Sequence, residues 1–115
     1  MMLVSFLSSC SSADNKFTMN VDNFKVLIGE GAQLVDVRTS GEFSEYNIPG
    51  AVNIDVQQSG FVEKADSLLI KDKKVAVYCR SGRRSKEAVK LLRQSGYDAY
   101  DLDGGILAWK ESEEK

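Results

Sequence analysis

At 115 residues, 43% of them hydrophobic and 28% charged, the chain suffices for one domain with one core and has the balance of a globular protein, not a disordered or fibrous one. Its net charge of −2 argues against a general affinity for nucleic acid, which needs a broad basic face to neutralise phosphates. Histidine is absent and cysteine occurs only at Cys10 and Cys79, which excludes Ser–His–Asp and Cys–His catalysis, His-containing zinc sites and a tetrahedral thiolate site.

The stretch MMLVSFLSSCSSADNKF opens the chain with an apolar run from Met1 to Leu7, then Leu7-Ser8-Ser9-Cys10 and a Ser/Asp/Asn tract. It resembles the end of a bacterial lipoprotein signal, in which the cysteine is lipidated and becomes the mature N-terminus. The run is short and no Lys or Arg precedes it; a start further upstream would complete such a signal. It is too short to span a membrane. The other reading is a polar terminus with a chance cysteine. Residues 1–16 are expected to be a leader or tether and residues 17–115 the domain. A lipidated Cys10 would put the domain in the bacterial cell envelope or periplasm; otherwise a cytoplasmic location is expected. Cys10 and Cys79 lie in such different settings that no disulfide framework is expected.

Phe17 to Met19 is expected to form a short edge strand. Asn20 can cap a helix through Ile28 with Val21, Phe24, Leu27 and Ile28 on one face, ended by Gly29 and Gly31. QLVDV (33–37) is a short apolar, β-branched run, the mark of a buried strand. TSGEF starts a brief helical turn, NIPGA is a turn holding the single proline, and Val52 to Ile54 is another short strand. Phe61 to Leu69 has helical spacing with Phe61, Ala65, Leu68 and Leu69 inward. KKVAVYC is a second buried strand ending at Cys79. From Ser85 to Ser95, Ala88, Val89, Leu91 and Leu92 form one helical face, and Gly96 suits the position after a helix end. YDAYDL reads as a strand, Gly104-Gly105 as a sharp turn serving backbone geometry, and Ile106 to Glu111 as a last helix with Trp109 inward. Strands alternating with helices predict an α/β domain, a mostly parallel sheet with helices on both faces.

Cys79 therefore closes a buried strand shortly before a helix, and in open α/β sheets ligands bind beyond the carboxyl ends of strands. Gly82 and the small Ser81 let backbone N–H groups turn toward one point, and the helix N-terminus adds to this anion-binding concavity. Arg80, Arg83 and Arg84 add fixed positive charge. A thiol so placed is expected to favour the thiolate with no histidine base. A lone cysteine at a strand end is more often structural; the R-S-G-R-R-S that follows it favours a reactive one.

CRSGRRS, together with LVDVRTSGEF, NIPGAVNI and LDGGILAWK, resembles the single-domain rhodaneses, and the likeness runs from Phe17 to about Lys110. The resemblance implies a sulfurtransferase with a five-stranded parallel sheet flanked by helices. It implies that Cys79 accepts sulfane sulfur as a persulfide, cradled by the backbone N–H groups of Arg80, Ser81, Gly82, Arg83, Arg84 and Ser85. Asp36 and Arg38 match the family's D-x-R and would brace the loop or rim, as a structural ion pair. No metal or cofactor is implied.

The chain departs from the family pattern in places. Tyr46-Asn47 stand where a Gly-His often precedes Ile-Pro-Gly-Ala. Some thiosulfate-using members carry Arg at the position of Glu42 and Lys at that of Ser81, which leaves Arg83 or Arg84 to supply the cation. Phosphatases and arsenate reductases on this fold place an Arg five residues after the intervening stretch begins, where this chain has Ser85, with Arg84 one position early; the shorter loop suits a sulfur atom. Sulfur transfer is accordingly expected ahead of a sulfur-carrier or partner-binding module without efficient turnover, and that ahead of phosphoryl or arsenate chemistry. The expected partners are a small sulfur-containing anion as donor and a thiol, protein thiol or cyanide-like acceptor, on a monomer.

Overall fold

Every strand pair among the described residues is parallel, so each connection must cross a face of the sheet and cover it. In the computed structural model, which describes residues 15–114, β1 (Thr18–Met19), β2 (Gln33–Asp36), β3 (Val52–Asn53), β4 (Val75–Tyr78) and β5 (Ala99–Leu102) form one five-stranded sheet in the order β1-β5-β4-β2-β3. The connections supply α1 (Val21–Gly29), α2 (Ser40–Glu45), α3 (Phe61–Leu68) and α4 (Arg83–Gln94), and α5 (Gly105–Glu113) follows β5. The leader with Cys10 lies outside the described residues, of which no helix is long and apolar enough to cross a membrane.

The period-two alternation of strand side chains divides the core. Val35, Val75, Val77 and Ala99 face α3 and α4, meeting Phe61, Ala65, Ala88, Val89 and Leu92. Leu34, Ala76, Tyr78 and Leu102 face α1 and α5, meeting Phe24, Leu27 and Ile106. Helices thus cover both faces, as the alternating element order predicts. Local chemistry places the helix starts: the Asn20 side chain accepts the Asn23 N–H at 2.9 Å, and Thr39 with Glu42 forms a reciprocal capping box at α2.

Two expectations need correction. Leu68 is 49% exposed, not inward, because α3 stops there; Leu69 is already extended and turns into the core in its place. The helix after Cys79 begins at Arg83 rather than Ser85, because Gly82 takes a left-handed conformation (φ 107°) that starts the turn early. Strand limits otherwise shift by a residue or two: Val37 and Ile54 still donate N–H bonds to the neighbouring strand, to Tyr78 and Asp36, just beyond β2 and β3. Trp109 is half-buried against the α1 side of the core with the Lys25 ammonium 5.0 Å from its ring centroid.

Two contacts hold the loop after β4 in place. From α5, the N–H groups of Ile106 and Leu107 donate to the carbonyls of Cys79 (2.9 Å) and Arg80 (3.2 Å). Gly105, at φ 58°, lies so near these carbonyls that an added Cβ would sit 2.6 Å from the Cys79 oxygen and closer still to that of Arg80. From α2, Glu42 receives a two-pronged bond from Arg84, at 2.8 and 3.0 Å. The hydrogen bond from Arg84 holds the Glu42 carboxyl down at about 2, from an ordinary 4.5, against the opposing effect of burial.

Gly105→Ala should therefore cost about 2–4 kcal/mol in urea unfolding, from a backbone collision plus a strained left-handed φ. A loss below about 1 kcal/mol would show that the α5–loop junction yields freely. Because the Glu42 pKa is depressed on folding, its contribution is fully present above pH 4.5 and lost as pH falls through about 2. Both side chains are a quarter exposed, so the pair should be worth only about 1 kcal/mol. Urea midpoints of wild type and Glu42→Gln should differ at pH 5 and converge near pH 2; an unchanged gap would contradict this assignment.

Candidate active site

β4 lies between β5 and β2, and the residue that leaves its carboxyl end is Cys79, a free thiol only 1% exposed. The intervening loop runs only from Cys79 to Gly82 before α4 begins. Gly82 turns its N–H back onto the cysteine Sγ at 3.1 Å. A side chain at Gly82 would be strained at that φ and would touch the Gly104 nitrogen at 3.4 Å. The sulfur thus sits at the N-terminal end of α4, where unpaired helix N–H groups carry partial positive charge.

On its other side Sγ lies 3.5 Å from the hydroxyl of Ser85, which is wholly buried in the first turn of α4. Ser85 donates in turn to Asp101 Oδ2 at 2.8 Å, and Thr18 donates to Asp101 Oδ1 at 2.7 Å. Lys86 Nζ stands 3.7 Å from Asp101 Oδ2 and donates to Thr18 Oγ1 at 3.2 Å. A groove of about 770 Å³ opens over this cluster, with Thr18, Arg83, Lys86, Lys90 and Asp101 among its lining residues.

The arginines divide in role. Arg84 spends its fork on Glu42, so its charge is largely answered and its guanidinium is not available to replace the missing cations of the family pattern. Arg80 and Arg83 are exposed and take part in no ion pair among the described residues. Ser81 is exposed beside them. Of the three arginines, two are therefore exposed and outside any ion pair among the described residues.

Asp36 and Arg38 form a buried pair, with Nη2 2.7 Å from Oδ2. Burial pulls the Arg38 guanidinium down, but the hydrogen bond and charge of Asp36 outweigh it and leave its pKa raised. Arg38 also donates to the Tyr46 carbonyl at 2.6 Å, while the Asn53 amide donates to the Asp36 and Arg38 carbonyls at 3.0 and 2.9 Å. The pair thus pins the end of β2 to β3 and to the turn after α2. The Tyr78 hydroxyl accepts the Ile48 N–H of the proline turn at 3.1 Å, and burial pushes this phenol well above its ordinary range.

Asp101, Thr18 and Lys86 were not among the expected site residues. The one signal was Asp101 itself, a carboxylate on the same buried strand face as Ala99, where an apolar side chain would ordinarily stand. No cluster of three or more His, Cys, Asp or Glu side chains that could hold a metal occurs among the described residues.

The family model for the rhodanese-like domain matches residues 20–112. Among curated proteins, the putative sulfurtransferase YtwF of Bacillus subtilis is 37% identical, over 75% of this chain and 81% of its own. The thiosulfate sulfurtransferase GlpE of Shewanella oneidensis is 34% identical, over 72% of this chain and 80% of its own. Among solved structures, a rhodanese-related protein from Thermoplasma volcanium superposes with a TM-score of 0.72 at 35% identity, covering 83% of this chain and 91% of that one. A cysteine at the carboxyl end of a central parallel strand, in a chain matched over nearly its full described length, leads to one assignment: the protein belongs to the rhodanese-like domain family and sits among its sulfurtransferase-type members.

Proposed function

We propose that the protein transfers sulfane sulfur from a small anionic donor such as thiosulfate to a thiophilic acceptor through a persulfide on Cys79. The observation that carries this reading is the Gly82 N–H aimed at Sγ from 3.1 Å, in a loop whose span suits one sulfur atom. The Cys79 thiolate attacks the outer sulfur of thiosulfate; a new S–S bond forms, the old one breaks, and sulfite leaves with the bonding pair. The resulting Cys79 persulfide carries its negative charge on the outer sulfur. The backbone N–H groups of Arg80 through Ser85 are its proposed cradle, acting as an oxyanion hole does toward oxygen. A nucleophilic acceptor then takes the outer sulfur and returns Sγ as thiolate, in the two half-reactions of a ping-pong cycle. Arg80 and Arg83 draw the donor anion in, and Asp36 with Arg38 braces the rim without touching the sulfur.

The arrangement of Arg84 favours this over phosphoryl or arsenate chemistry. A tetrahedral oxyanion needs fixed donors around several oxygens, whereas here Arg84 is committed to Glu42 and the position after it holds the buried Ser85.

With thiosulfate and cyanide as substrates, the wild-type protein should produce thiocyanate, and Cys79→Ser should fall to background while unfolding at an unchanged urea midpoint. Residual turnover in Cys79→Ser, or hydrolysis of an aryl phosphate by a wild type inactive with several sulfur donors, would overturn the reading. Arg80→Ala and Arg83→Ala should each raise KM for thiosulfate about three- to tenfold with a smaller effect on kcat, as loss of a charge-assisted contact to the donor. A larger KM effect from Arg84→Ala than from either would contradict the division of the arginines.

A further inference from the structure

Asp101 is a charged side chain sealed in the face of the sheet that carries Cys79, at 1% exposure, and the sulfur-transfer scheme leaves it without a task. Its surroundings define its hydrogen-bond polarity. An ionised carboxylate can only accept, and it accepts from Thr18 of β1 and Ser85 of α4, with the Lys86 ammonium close to the same oxygen that Ser85 uses. Ser85 has a single hydroxyl proton. With that proton committed to Asp101, the oxygen that faces Cys79 Sγ at 3.5 Å presents lone pairs alone. Ser85 can receive the proton of a thiol there, but it cannot donate to a thiolate.

The sulfur therefore lies between two groups of opposite preference. The Gly82 N–H favours charge on Sγ, and the Ser85 oxygen disfavours it. The other charged groups around Cys79 include the exposed Arg80 of the loop and Arg83 at the start of α4, and Arg84 of α4, within electrostatic reach of the thiol, with Glu42 of α2 and Asp55 beyond β3 acting on that guanidinium. α5 contributes the Ile106 N–H, which binds the Cys79 carbonyl rather than the sulfur.

We propose that Asp101 is a positioning residue that holds the Ser85 hydroxyl turned away from Cys79 Sγ, so that the site accommodates negative charge better on the outer sulfur of a persulfide than on the cysteine sulfur itself. The proposal rests on the sulfur-transfer reading. In the free thiolate the charge sits on Sγ, against the Ser85 lone pairs; once sulfur is loaded, Sγ is a neutral bridging atom and the charge has moved one bond outward. Asp101 thereby favours the loaded form over the empty thiolate.

The test is the rate at which iodoacetamide alkylates Cys79 in the unloaded full chain between pH 5 and 9, read on the Cys79 peptide by mass spectrometry so that Cys10 does not contribute. In Asp101→Asn the amide keeps an acceptor for Thr18 and offers Ser85 a donor, which frees the Ser85 proton to point at the sulfur. Alkylation at pH 6 should then be about tenfold faster than in wild type, the size of one hydrogen bond to a charged group. In a Ser85→Ala background the same substitution should have little effect. A wild-type rate in Asp101→Asn, or an undiminished acceleration in the Ser85→Ala background, would overturn the proposal. Ser85→Ala alone, which leaves the buried carboxylate intact, should be about two- to threefold faster than wild type at pH 6; an unchanged or slower rate would count equally against it. Sulfur loading of the wild type by thiosulfate is scored separately. Loading without the Asp101→Asn acceleration defeats the positioning role alone, whereas acceleration without loading defeats the transfer reading, and with it the persulfide part of the proposal, and leaves only the orientation of Ser85 by Asp101.

Discussion

The whole site hangs on a backbone junction: the carbonyls of Cys79 and Arg80 accept N–H groups from the first turn of α5. That approach is possible because Gly105 has no Cβ, and it presses the loop after β4 against the end of β5. With the loop held there, Gly82 must turn through positive φ to enter α4, and its N–H comes to rest on the cysteine sulfur. The same closeness of β4 and β5 brings Asp101 under Ser85. Fold and site are thus coupled through backbone atoms, at a point where almost no side chain takes part.

Around this junction, charge is distributed by pairing. The buried Asp36–Arg38 pair joins the end of β2 to β3 and to the turn after α2, and breaking one half of such a pair leaves an uncompensated charge. Arg84 and Glu42 tie α4 to α2 at the site's edge, while Arg80 and Arg83 stay exposed and in no ion pair among the described residues. Beneath the thiol, Asp101 is held by Thr18, Ser85 and Lys86, which satisfies a buried carboxylate that would otherwise be costly. The thiol is thus addressed by a donor on one side and an oriented acceptor on the other, a finer arrangement than a general excess of positive charge.

Much of this was legible in the sequence, for physical reasons that can be named. Short β-branched runs such as QLVDV and KKVAV, separated by amphipathic stretches, left little alternative to a parallel sheet covered on both faces. Asn20 and the Thr39–Glu42 capping box are local signals, and local signals can be read from neighbours alone. What could not be read were partnerships across the chain. Glu42 and Arg84 are 42 residues apart, and Thr18 and Asp101 are 83 apart; nothing in either segment announces the other. The early start of α4 depends on a positive φ at Gly82 that the α5 junction imposes, and the exposure of Leu68 on where α3 stops, so helical spacing alone misjudged both.

The central claim, that Cys79 carries sulfur as a persulfide, is most directly tested by the intact mass of the protein after brief exposure to thiosulfate and removal of excess donor. The account predicts the gain of one sulfur atom, mapped to the Cys79 peptide, released by cyanide and absent from Cys79→Ser. A protein whose mass stays unchanged across a panel of sulfane-sulfur donors, or one that gains its sulfur at Cys10 instead, would contradict it.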